Sequence, residues 1–292
     1  MSTDKHERWI VGLDLGARSH GALVFATWMR RAESPAARPA LVGVHVLETW
    51  AARYLAIPRE EYVRSVRAVA DRHITALGGT FDAVEVVEAE RAEEGLVGAA
   101  ARGDALVIGR SAPRGEHRLV RLGRVARRVL RQLPAPVFVV PPDLPEQALA
   151  GPIVLAVDLT GSGAVAVEMA VRLARAHARP LVLAHVGEPR HSDLIDELEP
   201  SWLAAREAYR AGVEREFAAW AEAQGLGGLR RVLEYGPAPE SLAAIAEREQ
   251  ASVIVVGSRR LSTVERVFTT STASALAGLC PCPVAVVPPR EN

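Results

Sequence analysis

Two acids, two glycines and two helix starts carry most of the chemistry in this sequence, and they come in matched pairs. Asp14 and Asp158 each follow a short apolar run, in IVGLDLG and IVLAVDL, while Gly109 and Gly257 each close another, in ALVIG and VIVVG. Gly123 and Arg124 open the helical stretch GRVARRVLRQL, and Thr270 and Ser271 open STASALAGL. Such a set suits a phosphorylated ligand. The acid accepts a ligand hydroxyl, the glycine lets phosphate oxygens reach the backbone, and the first helical N–H groups and the helix dipole favour negative charge. Arg124 adds a guanidinium able to fork onto phosphate.

Each of these residues also has a plainer reading. Asp14 and Asp158 suit helix capping, and the glycines suit a tight turn out of a strand. His45 and His185 stand inside the apolar runs LVGVHVLE and LVLAHVGE, where a buried, hydrogen-bonded imidazole is expected before a catalytic one. Val46 and Val186 read first as core strand residues. Cys280 and Cys282 lack a second ligand pair, so they read as two small apolar residues leading into a strand rather than as a metal site or disulfide framework. Arg121, Arg124, Arg128 and Arg131 share helical spacing with no aromatics between them, which reads as a solvated helix face rather than a nucleic-acid surface. No nucleophile elbow, Walker loop, dinucleotide fingerprint after the first strand or metal-binding helix is present, so the chain reads as a binding protein and not an enzyme.

The pairing of candidate residues has one cause: the chain repeats itself. PAPVFVVPP begins at Pro134 and PCPVAVVPP begins at Pro281, 147 residues later, with seven of nine positions identical. Asp14 with Asp158, His45 with His185 and Gly109 with Gly257 recur in the same order. Each half alternates near-continuous Val, Ile and Leu runs with longer Ala, Leu, Arg and Glu stretches of helical period. Strands apolar on both faces and joined through helices make a parallel, doubly wound sheet. Strands are expected near 9–14, 41–46, 84–88, 105–109 and 137–140, then near 152–158, 180–186, 229–235, 252–257 and 284–287. The organisation is therefore α/β: a Rossmann-like five-stranded domain over 1–142, a linker at 143–151 within PPDLPEQALAG, and a second such domain over 152–292.

The totals agree with this reading. At 292 residues the chain has room for two ordinary domains. Basic and acidic residues number 35 each, so no net field draws the protein to nucleic acid or an anionic membrane. The polar start MSTDKHERW leads into an apolar run too short to span a bilayer, and a cytoplasmic location is expected.

The acid after strand one, the His-Val pair in strand two, the glycine after strand four and the P-x-P-V lead into strand five resemble the universal stress protein family, twice over. That resemblance implies strand order 3-2-1-4-5 in each half and a crevice at the carboxyl ends of strands one and four for ATP, with Mg²⁺, or another adenine nucleotide. The residues it implicates are Asp14, Val46, Gly109, Gly123 and Arg124 in the first half and Asp158, Val186, Gly257, Thr270 and Ser271 in the second. The family's nucleotide loop has the form G-x2-G-x9-G-[ST], and neither copy keeps it. In the first, the interval from Gly109 to Gly123 is one residue too long, Ala112 or Pro113 stands at the second glycine, and Arg124 replaces the hydroxyl. In the second, Arg260 and Thr270 replace glycines, while Ser271 keeps the hydroxyl. Two functions lead: a ligand-sensing stress regulator, or a nucleotide-free interaction module that works through a protein partner. An ATP-hydrolysing or nucleotidyl-transferring enzyme on the same fold ranks last, since fold does not confer chemistry. The fifth strands are expected to pair antiparallel across a pseudo-two-fold axis, an intramolecular form of the family's dimer contact that leaves room for a further homodimer.

Overall fold

Ten short segments form one sheet, the inner ones largely apolar and buried, the two at its edges carrying charged residues and facing water in part. The computed structural model describes residues 7–32, 38–111, 122–159, 163–187, 201–258 and 272–290. The first half contributes β1 (Arg8–Gly12), β2 (Ala40–Glu48), β3 (Ala83–Ala89), β4 (Ala105–Gly109) and β5 (Val137–Val140). The second contributes β6 (Ile153–Ala156), β7 (Leu181–Gly187), β8 (Arg230–Tyr235), β9 (Val253–Gly257) and β10 (Val284–Val287). Their order is β3-β2-β1-β4-β5-β10-β9-β6-β7-β8. Read outward from the middle, each half has the order 3-2-1-4-5, and every neighbouring pair is parallel except β5 with β10.

That exception is the expected contact between the fifth strands. Val137, Phe138 and Val139 lie opposite Val286, Ala285 and Val284, so the two apolar edges cover each other. Phe138 faces Ala285 where the repeat would otherwise set two like residues together, and one large side chain against one small one fills the shared space. Phe138 is fully buried, stacked on Trp9 at 4.8 Å and tilted against Phe25 at 5.2 Å.

Helices cover both faces: α1 (His20–Arg30), α2 (Arg59–Ala76), α3 (Ala92–Ala100) and α4 (Arg124–Gln132) in the first half, α5 (Ala164–Ala176), α6 (Ser201–Ala223), α7 (Ala238–Arg248) and α8 (Thr272–Leu279) in the second. Their patterns say how deep each lies. In α2 only Val66, Ala70 and Ile74 are buried, a single stripe at four-residue spacing, whereas α1 is buried without a break from Gly21 to Met29. Two apolar cores result, one per sheet face, and each contains residues of both halves.

The connector explains why α1 is enclosed. Leu144 and Leu149 are buried, and Glu146–Ala150 forms a 3-10 helix. Gly21 makes room at the start of α1, since a Cβ there would overlap the Pro141 carbonyl oxygen, and its N–H donates to the Pro142 carbonyl at 3.1 Å. Arg31 pairs with Glu146 of the connector, and Arg172 of α5 pairs with Glu7. Trp28 of α1 stacks on His177, just past α5, with ring centroids 3.6 Å apart. Burial, helped by the Arg179 charge, pushes the His177 pKa down to about 4, so the imidazole in this joint is neutral at neutral pH.

Candidate functional site

In each half, strands one and four are neighbours, so the loops that follow their carboxyl ends border one crevice, at the point where the strand order reverses. Asp14 stands two residues past β1 and is exposed. Its Oδ1 accepts the Ser19 hydroxyl at 2.6 Å and the Gly16 N–H at 2.8 Å, and its own N–H donates to the Ser19 oxygen at 2.9 Å. This closes a tight turn before α1, with Leu15 at φ 60°; in the second half Leu159 repeats that conformation at φ 58°. A non-glycine residue held left-handed at the same place twice marks a backbone shape fixed by its surroundings.

The histidines hold these turns from below. His45 Nδ1 faces the Leu13 carbonyl at 2.9 Å and His185 Nδ1 faces the Val157 carbonyl at 2.7 Å. Each therefore donates from Nδ1, one residue before the acid, and His45 Nε2 accepts the Tyr62 hydroxyl at 2.8 Å. Burial pushes the Tyr62 pKa up, which keeps that hydroxyl a donor. His185 lies against Phe217, with centroids 5.7 Å apart. Both imidazoles are positioning groups. Val46 and Val186 are partly buried against the second core, and Gly95 leaves the space that the Val46 methyls fill.

The two glycines at the strand-four ends differ. A Cβ on Gly109 would come 2.7 Å from the Arg18 carbonyl oxygen, so the turn after Asp14 already lies against this glycine. Gly123 caps α4 at φ 85°, and a Cβ there would overlap the Ser111 hydroxyl. In the first half the chain itself occupies the space these glycines leave. At Gly257 the nearest described atoms to an added Cβ are Ala166 Cβ at 3.8 Å and the Gly163 Cα at 3.9 Å, both ordinary contacts. Among the described residues, then, Gly257 serves no close approach within the protein. Asp158 is half-buried two residues past β6; Thr270 and Ser271 lie outside the described residues, as does Arg121.

Arg124 is the exposed first residue of α4, and its charge acts on Glu93. Glu93 is buried in the first turn of α3 and ion-paired with Arg128, so the arginine face of α4 is in part an interface and not wholly a solvated surface. Burial pushes the Glu93 carboxyl up, but the Arg128 hydrogen bond and the charges of Arg128 and Arg124 outweigh it and leave the pKa below its usual value.

Sequence reasoning missed Ser19, Ser111 and Arg110. Arg110, which follows Gly109, is buried and donates from Nη1 to the carbonyls of Cys280 at 2.8 Å and Gly278 at 3.1 Å, capping the end of α8 in the other half with positive charge. A signal existed, since the repeat places Ser258 where the first half has Arg110.

A family model described as the universal stress protein family matches twice, over residues 6–141 and 150–288. The chain belongs to this family, as a tandem of two of its domains. It is 33% identical over 138 residues to a universal stress protein encoded beside a sulfhydrylase gene in Thermus aquaticus, a stretch that covers 46% of this chain and 96% of that protein. A universal stress protein from Archaeoglobus fulgidus DSM 4304 superposes with a TM-score of 0.67 at 17% identity, covering 99% of both chains. A protein of unknown function from Pseudomonas aeruginosa PAO1 gives 0.69 at 14%, covering 98% of this chain and 94% of that one. At these identities the structures establish the shared tandem fold. Among the described residues, no helix of this universal stress protein is long and apolar enough to cross a membrane, and no group of three metal-ligating side chains comes together.

Proposed function

We propose that this tandem universal stress protein is a cytoplasmic, non-catalytic regulator that takes an adenine nucleotide in its second-half crevice, while its first half serves as scaffold. The observation that carries this reading is the contrast between the glycines. Gly109 and Gly123 are taken up by Arg18 and Ser111, whereas among the described residues Gly257 has only ordinary contacts about it, and a glycine is the residue that lets phosphate oxygens reach the backbone. Asp158 would accept a ribose hydroxyl, Val186 would lie against the base, and the backbone at Gly257 with the start of α8 would face phosphate; Mg²⁺ with ATP would offset the phosphate charge. A nucleotide-free interaction module fits the first half, where Arg18 and Ser111 stand against Gly109 and Gly123.

Thermal unfolding with and without ATP and Mg²⁺ tests this. Ligand at a hundred times its dissociation constant adds about 2.7 kcal/mol, an upward shift of roughly 5 °C or more for a chain of this size, without release of inorganic phosphate. An unshifted transition overturns nucleotide binding, and stoichiometric turnover overturns the non-catalytic role.

A further inference from the structure

The pair Cys280 and Cys282 is peculiar to the second half, since the repeat has Leu133 and Ala135 at the matching positions. Cys280 directly follows α8, where its N–H donates to the Leu276 carbonyl at 2.8 Å, and Cys282 stands two residues before β10. Both are thiols, with exposures of 0% and 4%, and their sulfurs lie 3.4 Å apart. Two buried sulfurs in contact are about 1.4 Å beyond bonding distance. Pro281 between them fixes one backbone torsion of the bend and so narrows the range over which the two side chains could part. The guanidinium of Arg110 lies on the Cys280 carbonyl, which sets a positive charge beside the chain that bears the thiols, and the attacking species in this chemistry is an anionic sulfur.

We propose that Cys280 and Cys282 are a redox site that a hydroperoxide closes to a disulfide and a dithiol reopens. Cys282, the less deeply buried, attacks one peroxide oxygen. The O–O bond breaks, the second oxygen leaves as water with the thiol proton, and Cys282 becomes a sulfenic acid. Cys280 then attacks the Cys282 sulfur, the S–O bond breaks, and hydroxide leaves as water with the Cys280 proton. Two thiols thus give up two electrons and two protons, and one hydrogen peroxide becomes two waters. Burial restricts the site to small oxidants admitted by local opening. It also keeps the resolving sulfur in contact with the sulfenic acid, ahead of further oxidation. The bend that closes lies at the joint of the halves, between the end of α8 held by Arg110 and the strand paired with β5.

The test is intact mass with thiol alkylation after denaturation. Incubated with hydrogen peroxide and then quenched, the wild-type chain is expected to lose about 2 Da and both alkylation sites, and to regain them with dithiothreitol. Cys280→Ala is expected to accumulate a sulfenic acid on Cys282, trapped by a 1,3-dione, and Cys282→Ala to trap none. The proposal is overturned if both wild-type thiols survive peroxide that oxidises the denatured chain, if the wild-type product is sulfinic or sulfonic acid, or if the disulfide forms only between chains.

Discussion

Phe138→Ala is expected to destabilise the protein by about 3–5 kcal/mol, the range for removing a buried phenyl ring from a core that cannot collapse around the gap. The ring lies in β5, fully buried against Trp9 and Phe25 and opposite Ala285 of the other half. The residue opposite, Ala285, is too small to refill the volume. Both cores run through the two halves, so wild type is expected to unfold in one transition. Denaturant melts followed by tryptophan fluorescence would read the loss as a lower midpoint. A change below 1 kcal/mol would mean that the β5–β10 joint is not the shared core described here.

The second large effect is at the buried ion pair. Arg128→Leu is expected to cost about 3–5 kcal/mol at neutral pH, because it leaves the Glu93 carboxylate buried without its partner; Glu93 is 2% exposed, and its Oε2 already lacks a hydrogen-bond partner among the described residues. The pH dependence has a definite sign. In wild type the folded-state pKa of Glu93 is depressed, so its contribution is complete above the unfolded carboxyl value of about 4.3 and is lost as pH falls through the lower folded value. In Arg128→Leu burial acts unopposed and raises that pKa, so the deficit is largest at neutral pH and shrinks in acid as Glu93 protonates. Glu93→Gln added to Arg128→Leu is expected to restore part of the loss. Urea melts at several pH values would show this, and a deficit that does not depend on pH would contradict it.

The fold was legible because its evidence is local and occurs twice. Continuous apolar runs such as VFVV and VAVV admit only strands buried on both faces, and two identical unpaired edges on one chain admit few better solutions than pairing with each other. The histidines' role was legible for the same reason, since an imidazole inside an apolar strand must find a partner. The state of the two crevices was not. Gly109 and Gly257 are the same letter in the same place, and among the described residues the approach of a backbone carbonyl, that of Arg18, is seen at the first of them. The connector, read as a linker from its prolines, buries Leu144 and Leu149, because a segment with no periodicity gives no sign of which leucines turn inward. Contacts across the joint, Arg110 on the end of α8 and Trp28 on His177, depend on how the halves meet, and no spacing within either half encodes that.

The central claim is that one crevice, the second, takes a nucleotide, and calorimetric titration of ATP with Mg²⁺ into wild type and Gly257→Val tests it most directly. Valine there meets only ordinary contacts among the described residues and suits a strand end, so the variant is expected to melt as wild type does while its branched side chain fills the space for phosphate. The account predicts one nucleotide per wild-type chain and none for Gly257→Val. Two nucleotides per wild-type chain, or unchanged binding in Gly257→Val, would contradict it.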